Sequence, residues 1–330
     1  MMTRASDEPR TLTYELPPIR PPSEARSLLV RVMRGCPWNY CTFCSVYKDL
    51  PRKGMLRSVD EVKGDIDALR AAVDEMRSLG RIVEPRTAFL ADSNAIIVKT
   101  EDLVEIVVHL QKSFPSVERV TSYARAKTIL KKESAELRRL REAGLSRLHM
   151  GLESGDDDVL ERVKKGAKAR EMIDAGRKAI DAGFELSEYV MPGLGGWEMT
   201  EQHARNTASV LNATNPNFVR VRPLMVTPGT PLYDEYVRGE FFPMDPIEML
   251  DELRRMVEGL EITGNICFDH FMNSPIFRQD WEGYRLPEEK ADLLLLMDEA
   301  LESLGRSRSG ESKPKVGVDP DISDSEGCRE

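Results

Sequence analysis

The sequence predicts an α/β fold: a parallel barrel of six strand–helix units, closed or nearly so, followed by an α-helical C-terminal extension. Three observations carry this. Short β-branched or apolar runs recur along the chain, separated by stretches of 3.6-residue periodicity, which implies parallel strands joined by crossover helices. Two helical stretches end in Ala-Gly and pass at once into an apolar run, at Ala143-Gly144-Leu145 and Ala182-Gly183-Phe184. Glycine supplies the left-handed residue that turns a helix into the next strand. Finally, 330 residues at 41% hydrophobic are enough for one large core or two ordinary ones.

Residues 1–26 are polar and proline-rich, with Pro17, Pro18, Pro21 and Pro22, and read as a flexible lead-in. Strands are expected at 27–33, 87–91, 119–123, 145–152, 184–191 and 218–224. Ser58-Val-Asp-Glu61 has capping-box spacing for the first long helix. Thr100, Ser134 and Thr200 are placed as N-caps of later ones. The barrel is assigned to 27–236 and a helical extension to 237–305, with 246–304 read as all-helical. From about residue 306 the chain is Ser, Lys, Asp and Gly and reads as a disordered tail to residue 330.

Charge narrows the partners. With 47 basic against 56 acidic side chains and a formal net charge of −9, the balance argues against a nucleic-acid partner. The first ten residues contain no apolar segment of the secretory kind, and the longest strongly apolar run, 293–297, is far too short for a membrane span. The expectation is a cytoplasmic protein without membrane association.

Three of five cysteines, Cys36, Cys41 and Cys44, fall on one short loop directly after the first strand. That is the carboxyl end, where parallel barrels place their sites. An odd total without a secretory signal argues against a disulfide framework. Two readings of the thiols compete. Cys41-x-x-Cys44 is half of a structural zinc site, but no second half follows. An iron–sulfur cluster takes four thiolates, so three would leave one iron open.

Five further motifs sit in order at the strand ends. They are 89–94 (Phe-Leu-Ala-Asp-Ser-Asn), 121–125 (Thr-Ser-Tyr-Ala-Arg), 148–155 (Leu-His-Met-Gly-Leu-Glu-Ser-Gly), 189–196 (Tyr-Val-Met-Pro-Gly-Leu-Gly-Gly) and 226–232 (Val-Thr-Pro-Gly-Thr-Pro-Leu), joined to the cysteine loop itself. With these, the sequence resembles the radical S-adenosylmethionine (radical SAM) superfamily over about residues 27–236. It is most similar to the branch containing the oxygen-independent coproporphyrinogen oxidases, methylthiotransferases and the Elongator catalytic subunit. The loop departs from the family's usual C-x3-C-x2-C by one residue, being C-x4-C-x2-C, with Asn39 or Tyr40 as the insertion.

The resemblance implies a partial TIM-like (β/α)6 barrel. It implies that Cys36, Cys41 and Cys44 ligate three irons of a 4Fe–4S cluster whose fourth iron binds SAM. Phe43 would lie beside the adenine, and Asp92, Ser93 and Asn94 would occupy the place of the motif that meets the SAM amino group. Glu153 and Ser154 would approach the ribose or methionine part, and Gly193 and Gly195 would admit the adenine close to backbone. The implied activity is reductive cleavage of SAM to a 5′-deoxyadenosyl radical that abstracts hydrogen from a small or medium-sized organic substrate. A reductase or a flavodoxin- or ferredoxin-type protein would supply the electron.

Each choice has an ordinary counterpart. Phe43 could be core packing, and Arg125, Arg220 and Arg222 could be salt-bridged at the barrel mouth as easily as bound to a carboxylate. A carboxylate such as Glu153 within an apolar strand is costly unless paired. His149 and His203 read as structural, and Asp156-Asp157-Asp158 as a solvated helix start. Asp269 and His270 could close over substrate, while Cys267 could donate hydrogen or simply be a buried thiol. Cys267 and Cys328 are too few for a second cluster, and no room is seen for a cobalamin-binding or RNA-binding domain. Two other classes stay open: a non-catalytic haem or iron–sulfur carrier of the same fold, and a zinc-stabilised scaffold.

Overall fold

The computed structural model describes residue 14 and residues 18–50 and 55–308, the side chains only as far as residue 305. The expected tail starts late, since residues 306–308 still belong to the last helix, and its remainder with Cys328 and most of the lead-in lies outside the described residues. Eight strands form one sheet in chain order. They are β1 (Leu28–Arg31), β2 (Thr87–Ala91), β3 (Arg119–Ala124), β4 (Leu145–Glu153), β5 (Glu185–Val190), β6 (Phe218–Val221), β7 (Asn265–Cys267) and β8 (Tyr284–Arg285). The first seven run parallel, and β8 pairs antiparallel with β7. The order ends at β1 and β8 without a closing pair among the described residues, so the barrel is partial.

Between the strands lie α1 (Val59–Ser78), α2 (Thr100–Ser113), α3 (Ala126–Lys131), α4 (Ser134–Glu142), α5 (Asp157–Arg162), α6 (Ala169–Asp181), α7 (Thr200–Thr214) and α8 (Pro231–Val237). After β6 come α9 (Pro246–Glu258) and, after β8, α10 (Lys290–Arg308). Strand residues alternate between helices and lumen, as a pleated strand requires. On β6, Val219 and Val221 join the apolar layer under the helices, while Arg220, on the lumen side, donates to Ser187 of the neighbouring β5. On β4, Leu148, Met150 and Leu152 join that layer, and His149 bonds to Tyr189 of β5.

Local signals hold well, with small displacements. The Ser58/Glu61 capping box starts α1 in both directions, at 2.8 and 3.2 Å. Gly144 and Gly183 take φ of 112° and 89° at the helix-to-strand turns. Thr100, Ser134 and Thr200 are each the first helical residue instead of the cap. At α4 the reason is visible: the Glu133 side chain takes the capping position in a box with Glu136. Residues 246–304 are not all-helical, because β7 and β8 lie between α9 and α10 and carry the sheet past its sixth strand. Runs of three and two residues are too short for strand periodicity to register.

Candidate active site

At the carboxyl ends of β1, β3, β4, β5 and β6 opens a cavity of about 640 Å³. Its wall includes Cys36, Cys41, Cys44, Phe43, Ser93 and Glu153, six of the residues singled out from sequence.

The cysteine loop is fastened on every side. Asp92 Oδ2 accepts from Arg31 Nη2 at 2.8 Å and from the Gly35 amide at 3.0 Å, just ahead of Cys36. Ser93 Oγ donates to the Gly35 carbonyl at 2.8 Å. Further on, the Thr42 amide donates to Val163 O, Trp38 Nε1 to Lys164 O, and the Leu232 amide to Thr42 O. The lengthened spacing is absorbed at Asn39–Tyr40. Asn39 takes φ 50° and donates its amide to Tyr47 O at 2.6 Å, while Tyr40 is 48% exposed. Asparagine tolerates this left-handed conformation better than most residues.

The three thiols are free and partly buried. Burial pushes Cys41 up to about 11 and also raises Cys44. Cations surround them: Lys165 acts on Cys41 and Cys44, Lys48 on Cys44, and Arg125 is near Cys36 and Cys41. Three thiolates carrying an iron–sulfur cluster would be anionic, and this ring of cations suits them. Among the described residues no three Cys, His, Asp or Glu side chains close on one point as a single metal ion requires. A cluster takes one thiolate per iron, so its ligands need not converge in that way. The donor set fits a cluster.

Glu153 sits where the β4–β5 register shifts, with φ 65°, and its Oε1 accepts from Lys165 Nζ at 2.8 Å. Gly151 makes room for the pair: a Cβ there would lie 2.2 Å from Glu153 Oε1 and 2.8 Å from Lys165 Nζ. Burial works to lower the Lys165 ammonium, but Glu153 and Cys41 outweigh it and leave it raised. Lys165 was not singled out from sequence. Its signal was faint, a Lys-Lys-Gly turn that reads as solvated, although Gly166 at φ 75° packs directly under the Trp38 ring.

Other sequence candidates stand behind the wall. Asp92 anchors the loop as described. Asn94 Nδ2 donates to Thr128 Oγ1 and its Oδ1 accepts from the Arg125 amide, fixing the end of β3. Ser154 pairs with His203 Nδ1 at 2.8 Å and accepts from the Asp156 amide. The Gly193 amide donates to Glu252 Oε1, and a Cβ there would approach Met249 Sδ at 2.9 Å. A Cβ on Gly195 would meet Met199 at 3.1 Å. Both glycines therefore abut protein side chains, and neither lines the cavity. His149 is buried between Glu24 and the Tyr189 hydroxyl, and burial lowers it to about 4. Asp156 caps α5, accepting from the amides of Asp158 and Val159. Cys267 is buried and donates to Trp281 O. His149, despite its burial, joins Arg125, Arg222 and His270 in lining the cavity, whereas Arg220 and Asp269 lie behind it.

A family model described as the Radical SAM superfamily matches residues 30–207, over half of the chain. Among characterised proteins, the tRNA uridine(34) acetyltransferase of Methanocaldococcus infernus is 29% identical over 120 residues, 35% of this chain and 22% of that protein. The heme chaperone HemW of Bacillus subtilis is 33% identical over 127 residues, 38% of this chain and 32% of that protein. The chain thus spans at most about a third of the length of either relative. Among solved structures, the Escherichia coli coproporphyrinogen III oxidase HemN aligns with a TM-score of 0.52 at 18% identity, covering 70% of this chain and 51% of that one. The archaeal Methanocaldococcus infernus Elp3 aligns with a TM-score of 0.50 at 17% identity, covering 84% and 63%. At such identities the likeness shows the fold, the partial barrel described above. No helix among the described residues is long and apolar enough to cross a membrane.

Proposed function

The chain belongs to the radical SAM superfamily, whose members use a 4Fe–4S cluster and SAM, and from that premise we propose a radical enzyme acting on a small or medium-sized organic substrate held in this cavity. The observation that carries the reading is the convergence of three thiols, Phe43 and the Glu153–Lys165 pair on one wall. When bound, the cluster and SAM supply one-electron cleavage of the C5′–S bond and, from it, abstraction of a substrate hydrogen.

This chain's residues do the holding. Cys36, Cys41 and Cys44 present the thiolates, and the Asp92–Gly35 and Thr42–Val163 bonds keep their loop from sliding along the strand ends. SAM carries a carboxylate, an ammonium and two ribose hydroxyls. Lys165 Nζ would donate to the carboxylate, and Glu153 would accept from ammonium or ribose. Phe43 would pack against the purine, and Ser93 offers a hydroxyl at the same wall. The remaining wall is largely apolar around Met191, Leu224, Met225, Phe271 and Met272, which suits a chamber that excludes water and stray hydrogen donors. A volume of about 640 Å³ suits SAM with a compact partner, within the roughly 300–1,000 Å³ of small-molecule sites. The electron comes from a reductase or a flavodoxin- or ferredoxin-type protein.

Anaerobic reconstitution followed by reduction with SAM tests this, with 5′-deoxyadenosine read by mass spectrometry. The Cys36→Ala/Cys41→Ala/Cys44→Ala variant is the control. Formation by wild type alone supports the reading. Iron and sulfide bound without cleavage, even across a panel of small substrates, would favour a non-catalytic haem or iron–sulfur carrier; one relative, HemW, is named a heme chaperone.

A further inference from the structure

β6 and its continuation place Arg220 and Arg222 two residues apart, on the lumen side. Both guanidiniums reach one carboxylate: Arg220 Nη1 donates to Asp269 Oδ2 at 2.6 Å and Arg222 Nη1 to Asp269 Oδ1 at 2.9 Å. Arg220 is further satisfied by Ser187 Oγ and Trp281 O. Arg222 is not. Its Nη1 also reaches Val221 O, but its Nη2 is buried with no hydrogen-bond partner.

The same imbalance holds across the lumen. Arg119, Arg147, Arg220 and Arg222 share three carboxylates, Glu24, Glu185 and Asp269. One positive charge is left over in a low-dielectric place, and an arginine does not shed its proton there. His270 beside it adds no second positive charge, since burial and the charge of Arg222 hold it down to about 4, and an imidazole offers no negative one. Of the five Lys and Arg among the described lining residues, Lys165 is paired with Glu153 and Lys127 with Glu171. Arg125 stacks on Trp38 near the thiols, and Arg20 donates to Ser27 O. Glu153 is the sole carboxylate among the described lining residues.

We propose that the substrate carries an anionic group, a carboxylate or a phosphate, and that Arg222, braced by Asp269, is the residue that binds it. This deepens the radical enzyme reading and rests on it. Arg222 has Tyr189 under its guanidinium at 5.0 Å, which orients the planar fork. Met225, Phe271 and Met272 beside it would cover the substrate's carbon skeleton. An anion on Arg222 is held from the β6–β7 wall, while the thiols and Lys165 belong to the β1 and β4 walls.

The test is calorimetric titration of the full chain, reconstituted without oxygen and saturated with SAM so that Lys165 is engaged. The probes are succinate, inorganic phosphate and, as the neutral counterpart, succinamide. One anion is expected to bind and succinamide is not. Arg222→Gln should weaken that anion at least tenfold with iron content equal to wild type, and Arg222→Lys should fall between. Preference for succinate identifies a carboxylate, and preference for phosphate a phosphate. Binding of neither anion, equal binding by Arg222→Gln, or equal binding of succinamide overturns the proposal. The titration is repeated on the chain without cluster or SAM. Arg222-dependent binding there, in a protein that never cleaves SAM, would remove the radical reading and leave the anion site. A wild type that cleaves SAM without Arg222-dependent binding would remove the anion site alone.

Discussion

Lys164 takes φ 53° and Gly166 φ 75°, and between them Lys165 is turned inward onto Glu153 at 2.8 Å. A buried ammonium in that position has few uses other than to meet an anion, because its desolvation is costly. A hydrogen bond to a charged group is worth about 1.5–3 kcal/mol. Lys165→Met should therefore weaken SAM on the order of 10- to 100-fold by calorimetry, while iron content stays at the wild-type level. Unchanged affinity would place the SAM carboxylate elsewhere. Glu188 is a different buried charge. It lies on the helix-facing side of β5, near Gly176, and neither carboxyl oxygen has a partner. Burial pushes it up to about 8 from an ordinary 4.5. The folded chain keeps this proton where the unfolded chain releases it, so stability falls as pH rises from about 4.5 to about 8. Glu188→Met should raise the melting temperature at pH 8, by on the order of 1–3 kcal/mol of stability, and by clearly less at pH 5. A gap independent of pH would mean that the carboxyl is not the titrating group.

The ends of the strands carry the site, and the bulge at the end of β4 sets its geometry. A Cβ on Gly151 would overlap both Glu153 Oε1 and Lys165 Nζ. Gly151→Ala should then part the pair and weaken SAM by roughly tenfold, with cluster content retained, since one charge-assisted contact is disturbed and no thiol is touched. Gly305→Ala in α10, where nothing lies within 4 Å, is the matched control and should leave SAM affinity unchanged. Much of this architecture was legible. Strand 87–91 has the same bounds in sequence and structure, because an apolar run ended by Asp92 is buried on both faces and then reaches the loop. Glu153 ends β4 and Ser93 closely follows β2, while the cysteines and Phe43 reach the same wall on the loop that leaves β1 and is tied down by Asp92 and Val163. Their neighbours Asp92, Asn94 and Ser154 were harder to read. One step along an extended chain turns a side chain to the other face, and hydrogen bonds to Arg31, Thr128 and His203 then hold it there. Lys165 was hidden because inward lysines follow from a turn's dihedral angles, which Lys-Lys-Gly does not announce. β7 and β8 were hidden by their brevity.

Across the whole molecule, buried groups on both faces of the sheet, Glu24 and His149 in the lumen and Glu188 under the helices, move their protons in opposite directions, and their sum fixes how the fold responds to pH. Glu24, carried in by the 3-10 turn Pro22–Glu24, meets Arg119, His149 and Ser27. Burial alone would raise its carboxyl, but His149 first, then Arg119 and Ser27, hold it down to about 2. Its contribution is complete above about pH 4.5 and is lost as pH falls through about 2. His149 is lowered by burial to about 4 from 6.5, so the unfolded chain takes up its proton first and stability falls as pH drops from about 6.5 to about 4. Glu188 acts the other way, removing stability as pH climbs from about 4.5 to about 8. Between about 4.5 and 6.5 the slopes of His149 and Glu188 oppose each other and nearly cancel. Melting temperature should therefore be level across that interval, decline toward pH 8, and decline again below pH 4.5. Scanning calorimetry of the full chain from about pH 3 to 9 reads this directly. Glu188→Met should flatten the alkaline decline, and Glu24→Gln should flatten the acid one at the cost of a lower plateau, because it leaves Arg119 without its carboxylate. A melting temperature that rises steadily from pH 4 to pH 8 would show that these buried charges are not what sets the stability of the barrel.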